Sequence, residues 1–111
     1  MEALLVLTNL PDADSARAMA DRLIGQRLAA CVNILAPCRS VYRWQGKTED
    51  SEEVPLLIKT TAERYAALEA AIRATHPYEL PEIVAVPIAH GLPGYLAWVA
   101  AETSPDTPRS C

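Results

Sequence analysis

A chain of 111 residues has room for one hydrophobic core and not for two. Half of its residues are apolar, which excludes disorder, yet no apolar run approaches the roughly 18 residues that a membrane span needs. A formal net charge of −4, with no basic stripe, excludes a surface built for nucleic acid.

The elements follow in chain order. Residues 2–10, EALLVLTNL, are a short apolar run closed by Asn9, Pro11 and Asp12, and predict a buried strand. Asp12 caps a helix whose Ala16, Met19, Ala20, Leu23 and Ile24 share one face, with Gly25 as the left-handed stop. LAACVNIL (28–35) predicts a second strand, bent or bulged at Pro37, and alternation resumes in SVYRW (40–44). WQGK (44–47) is a hairpin tip with Gly46 at positive φ, and EVPLLIKT (53–60) is the returning strand. Pro55 inside that strand predicts an edge position or a second bulge. Thr60 and Glu63 have capping-box spacing ahead of a helix that stacks Tyr65, Leu68 and Ile72, with Glu69 and Arg73 four apart. Pro77 stops this helix near His76, EIVAVPI (82–88) is a fourth strand, and Pro93 opens a last short helix over 92–102.

The order β-α-β-β-α-β plus a helix predicts an α+β, ferredoxin-like sandwich over residues 1–103, followed by a flexible tail, 104–111. Two helices cover one sheet face only. Val54, Leu56 and Ile58 alternate with Leu57, and Ile83 and Ala85 with Val84, Val86 and Ile88, so both faces are apolar. That pattern predicts an oligomer built through the open face and the hairpin edges. Aromatic residues at element ends favour interfaces, and Tyr42, Tyr95 and Trp98 are expected at a subunit boundary.

Cys31, Cys38 and Cys111 fit neither an even disulfide framework nor a CxxC metal pair, and read as free thiols, with Cys31 buried. Glu2 and the lack of a basic region before the first apolar stretch argue against a secretory signal, so the expected compartment is the cytoplasm. The acidic run EDSEE (49–53) reads as a solvated edge that discourages sheet aggregation, although Glu53 enters the strand and shares a face with Lys59. No Ser-His-Asp or Cys-His spacing stands out, and no catalytic residue is assigned. THPYELPEI (75–83) gathers His76, Tyr78, Glu79 and Glu82. The histidine with a nearby carboxylate is a minimal set for a divalent cation.

LAACVNI, YRWQGK, IKTT, HPYELPEIVAVPI and HGLPGYLAW, in that order and spacing, make the chain similar to the CutA family of divalent-cation tolerance proteins over residues 4–101. The resemblance implies an interlocked homotrimer related in architecture to the PII signalling proteins and a role in tolerance to copper and other divalent metals, and it brings no established catalytic activity. Copper ligands proposed for the family include a cysteine at the end of the first strand and paired histidines before the Pro-Tyr. Thr8 and Thr75 stand at two of those positions here and His76 keeps the third. A hydroxyl is a poor substitute for thiolate or imidazole toward Cu²⁺. Two uses follow: a weak divalent-cation site at His76 with Glu79 or Glu82, or a PII-like cleft in which Lys59 charges and Trp44, Glu53 and Tyr78 line a site for a small anionic ligand. A structural scaffold for a partner is a third use.

Overall fold

A computed structural model describes residues 2–105. Along the chain run β1 (Ala3–Leu10), α1 (Ala13–Gly25), β2 (Cys31–Ile34), β3 (Cys38–Trp44), β4 (Lys47–Thr61), a 3₁₀ turn (Ala62–Arg64), α2 (Tyr65–Thr75), β5 (Val84–Pro87) and α3 (Pro93–Glu102). This is the expected ferredoxin-like succession, with its second strand broken into β2 and β3. The strands pair antiparallel in the order β2-β4-β1-β5, and β3 pairs with the outer stretch of β4. Cys111 and residues 106–110 of the expected tail lie outside the described residues.

The returning strand is longer than expected, because EDSEE is not a separate edge but the paired outer half of β4. Ser51 opposes Ser40 and Glu53 opposes Cys38. The second and fourth strands are shorter than their apolar runs, since ladder pairing begins at Cys31 and at Val84. Gly46 takes φ +81° and Gln45 φ +50°, the paired positive angles of a tight two-residue hairpin turn. This long ribbon makes the molecule elongated, 52 × 27 × 23 Å.

One bulge accounts for both strand prolines. Ile34 pairs with Leu56 and Cys38 with Glu53, so residues 35–37 face only residues 54 and 55. Pro55 accepts a 3.0 Å hydrogen bond from the Leu35 N–H. The N and O of a strand residue point to the same neighbour, so the missing N–H of Pro55 faces the bulge rather than β1. Pro55 therefore occupies neither an edge strand nor a second bulge; it sits in a central strand opposite the first one.

Leu4, Val6 and Leu10 of β1 and Val54, Leu56 and Ile58 of β4 turn to one face. Ala16, Met19 and Leu23 of α1 and Leu68 and Ile72 of α2 bury them. Ile24 stays 42% exposed, because it falls at the margin of the helical stripe. Asp12 caps α1 as expected, accepting from the Ser15 N–H at 2.8 Å. That bond holds its carboxyl below the usual range.

The stop of α1 lies two residues beyond Gly25. Arg27 takes φ +57°, the Leu28 N–H reaches the Leu23 carbonyl and the Arg27 N–H reaches that of Ile24. This is the Schellman pattern, with an arginine where glycine is usual. The arginine side chain compensates the backbone strain: Nη2 and Nε donate to the Ala101 and Ser104 carbonyls, at 2.9 and 3.1 Å, closing the end of α3. The Thr60–Glu63 capping box does not form. Thr60 faces the core as a strand residue and donates to the Leu28 carbonyl at 2.7 Å. The 3₁₀ turn then leads into α2, which ends as predicted at His76, with ψ 135° ahead of Pro77.

Candidate functional site: an acidic aromatic cleft

Residues directly opposite in a ladder point to the same side, so the second sheet face can be read from the registers. Leu5 and Leu7 of β1, Leu57 of β4 and Val84 and Val86 of β5 fall together at its centre. At one end α3 lies over it. Val99 is fully buried, and Ala3 and Thr61, paired on this face, are buried as well. The Tyr95 hydroxyl is pushed to a higher pKa by partial burial and the adjoining Cys31 thiol. The expected exposed face is thus partly covered within the chain. Val84 and Val86 remain 47% and 49% exposed.

At the opposite end, one face of the β3–β4 ribbon and the segment 78–82 enclose a cleft of about 720 Å³. Tyr42, Trp44, Ser40, Ser51 and Glu53 share that ribbon face because their partners alternate in register. Asn9, at the end of β1, joins the two walls by donating from Nδ2 to Glu82 Oε1 at 3.1 Å. Three carboxylates, Glu53, Glu79 and Glu82, line the cleft, and no Lys or Arg does. Glu53 is 8% exposed. Burial, and then the neighbouring Glu53 carboxylate, push the Tyr78 phenol up to about 12.

The structure brings together Trp44, Glu53, Tyr78, Glu79 and Glu82, and adds Tyr42, which the sequence places at a subunit boundary. Lys59 is not among the lining residues. It points to the same face nearer α3, where its Nζ contacts Asn33 Oδ1 and lies 3.9 Å from Cys31 Sγ. Cys31 itself is half-buried, not buried, because it faces this side and not the core. Tyr95 and Trp98 stack loosely on α3, centroids 5.5 Å apart, and both stay exposed. Asn9, Ser40 and Ser51 were missed; the two serines follow from the alternation through Glu53 once the hairpin register is known, whereas Asn9 carries no sequence signal.

His76 lies behind Tyr78, ring centroids 4.8 Å apart. Its Nδ1 accepts from the Tyr78 N–H at 3.1 Å, which assigns the proton to Nε2, and Nε2 donates to the Asn9 carbonyl at 2.7 Å. Nε2 ties the cleft wall to β1 while Nδ1 orders the turn into Tyr78, and a cation at His76 would displace one of these bonds. Thr8 and Thr75 do not join it. Thr8 points into the core with its hydroxyl unpartnered, and Thr75 Oγ1 lies 3.8 Å from Met19 Sδ. Among the described residues no three His, Cys, Asp or Glu side chains converge as a metal-binding group.

The family model for the CutA1 divalent ion tolerance protein matches residues 4–102. The chain belongs to the CutA1 family. The divalent-cation tolerance protein CutA of Thermus thermophilus is 46% identical over 99 residues, covering 89% of this chain and 96% of that protein. A Thermus thermophilus CutA1 structure superposes with a TM-score of 0.90 at 44% identity, over 92% of this chain and 99% of the other. The structure described as the periplasmic divalent cation tolerance protein CutA from Archaeoglobus fulgidus gives 0.89 at 34% identity, over 92% and 99%. These CutA structures share the α+β fold found here. Among the described residues, no helix of this CutA1 chain is long and apolar enough to cross a membrane.

Proposed function

We propose that this chain is a homotrimeric, cytoplasmic CutA protein of the divalent-metal response, binding a cation such as Cu²⁺ weakly and catalysing no reaction. The observation that carries the reading is the acidic cleft beside an uncovered apolar sheet centre. Glu79 and Glu82 give a cation oxygen ligands, and Val84 and Val86 give a second copy a surface to cover. Weak binding follows from the donor set: within one chain, two carboxylates and a histidine already held by two hydrogen bonds are too few for a closed site. The PII-like reading, with an anionic ligand in this cleft, is less well supported. Such a ligand would meet three carboxylates and no lysine.

Calorimetric titration of tag-free protein with Cu²⁺, beside His76→Ala and a Glu79→Gln/Glu82→Gln variant, tests the metal reading. Heat from the parent protein that falls in both variants supports it, and equal binding by all three removes these residues from the site. Light scattering on a sizing column tests the trimer, and localisation of the chromosomally tagged protein tests the compartment.

A further inference from the structure

The cleft has a combination of properties that a hydrated metal ion does not use. Three aromatic rings, those of Tyr42, Trp44 and Tyr78, stand around Glu53, a carboxylate more than nine-tenths buried. No ion pair joins Glu53 to a basic side chain among the described residues; Arg39, one of the two arginines of the ribbon, pairs instead with Asp50 at 3.1 Å. The neighbouring Tyr78 keeps its proton throughout the neutral range and donates its hydroxyl to Glu53, so it gives the carboxylate one donor and no compensating charge. Glu79 and Glu82 stand at the exposed rim. A buried carboxylate costs free energy unless a cation or several donors satisfy it, and aromatic faces attract cations through their quadrupoles. A tightly held divalent metal needs several converging oxygen or nitrogen ligands, and among the described residues no three His, Cys, Asp or Glu side chains converge as such a group. A weakly hydrated organic cation needs only one carboxylate and aromatic walls.

We infer that the cleft between the β3–β4 ribbon and segment 78–82 is a binding site for a small organic cation bearing N–H donors, an alkylguanidinium or alkylammonium. Its N–H groups pair with Glu53, its charge lies against Trp44 and Tyr78, and Glu79 and Glu82 at the rim steer it inward. The opening of about 720 Å³ falls in the range of small-ligand sites, which argues for a free molecule over a single side chain from a second copy. The inference shares its cleft and the rim carboxylates with the metal reading, but its direct contacts are Glu53, Trp44 and Tyr78, so the two separate experimentally.

The test is calorimetry of the full chain with butylguanidinium, its neutral planar analogue butylurea, and butyrate. Butylguanidinium is expected to bind at least about tenfold more tightly than butylurea, with butyrate not binding and affinity falling as salt rises. Glu53→Gln is expected to cost about tenfold or more, and Trp44→Ala, on the exposed ribbon, several-fold with folding intact. Lys59→Gln, outside the cleft, leaves binding unchanged. Equal affinity for the guanidinium and the urea, or full binding by both Glu53→Gln and Trp44→Ala, overturns the inference. So does a wild-type chain that binds none of the probes while Glu53→Gln lowers its mass on a sizing column, since a basic side chain of a second copy then fills the cleft. Loss of Cu²⁺ binding with guanidinium binding retained removes the metal reading alone.

Discussion

Leu56 and Ile58 are fully buried, while Leu57, between them on the same strand, is only half covered. Their side chains differ little in chemistry; what differs is what lies over them. On one face α1 and α2 complete a core, and on the other α3 reaches only the end near Ala3 and Thr61. The far end of that second face opens into the acidic cleft. Period-two alternation therefore sorts residues onto faces, and only the elements packed above decide whether a face is a core, an assembly surface or a site.

The largest expected effect lies in the covered face. Ile58→Ala should cost about 2–5 kcal/mol in urea unfolding, since its surroundings cannot collapse into the gap. Leu57→Ala should cost clearly less at low protein concentration; an equal loss there would mean that the second face is as closed in solution as the core. Val86→Asp sharpens the contrast from the other side. It should change single-chain stability by no more than about 0.5 kcal/mol, as exposed substitutions do, yet lower the assembly mass in light scattering. A mass that stays the same would place the subunit contact elsewhere.

A smaller effect probes the flaw in the core face. Thr8 is 1% exposed and its hydroxyl has no partner, so the near-isosteric Thr8→Val should stabilise by about 1 kcal/mol. A loss of stability would reveal a partner for that hydroxyl, such as a buried water. The smallest effect is confined to alkaline pH and to the cleft. Burial and the Glu53 carboxylate push the Tyr78 phenol up to about 12 in the folded chain, from an ordinary value of 10.0. Its contribution is complete below pH 10 and is lost as pH rises toward 12, because the unfolded chain releases the proton first. Tyr78→Phe should remove that part of the alkaline fall in melting temperature; parallel curves for the two proteins would show the phenol to be unperturbed.

Much of the frame was legible in the residues. The β-α-β-β-α-β order, the Asp12 cap, the hairpin tip at Gly46, the α2 stop before Pro77 and the opening of α3 at Pro93 all rest on local chemistry that acts wherever the chain goes. Readings failed where a distant partner changed a local preference. Gly25 looked like the helix stop, but Arg27 takes the left-handed position because its side chain ties down the end of α3, more than 70 residues away. Thr60 looked like a cap, but the Leu28 carbonyl claims its hydroxyl.

For the site the division is similar. Adjacency alone keeps His76, Tyr78, Glu79 and Glu82 close together, and the two-residue period puts Glu53 and Lys59 on one face, so both follow from the order of residues. That Glu53 joins the first group while Lys59 does not depends on how the strands cross in the folded chain. Crossing β4 between β2 and β1 carries Lys59 toward α3 and leaves Glu53 against Tyr78, since a strand rises about 3.3 Å per residue and six residues span the sheet. Charge separation within the cleft, acidic with no lysine, is a consequence of register and not of composition.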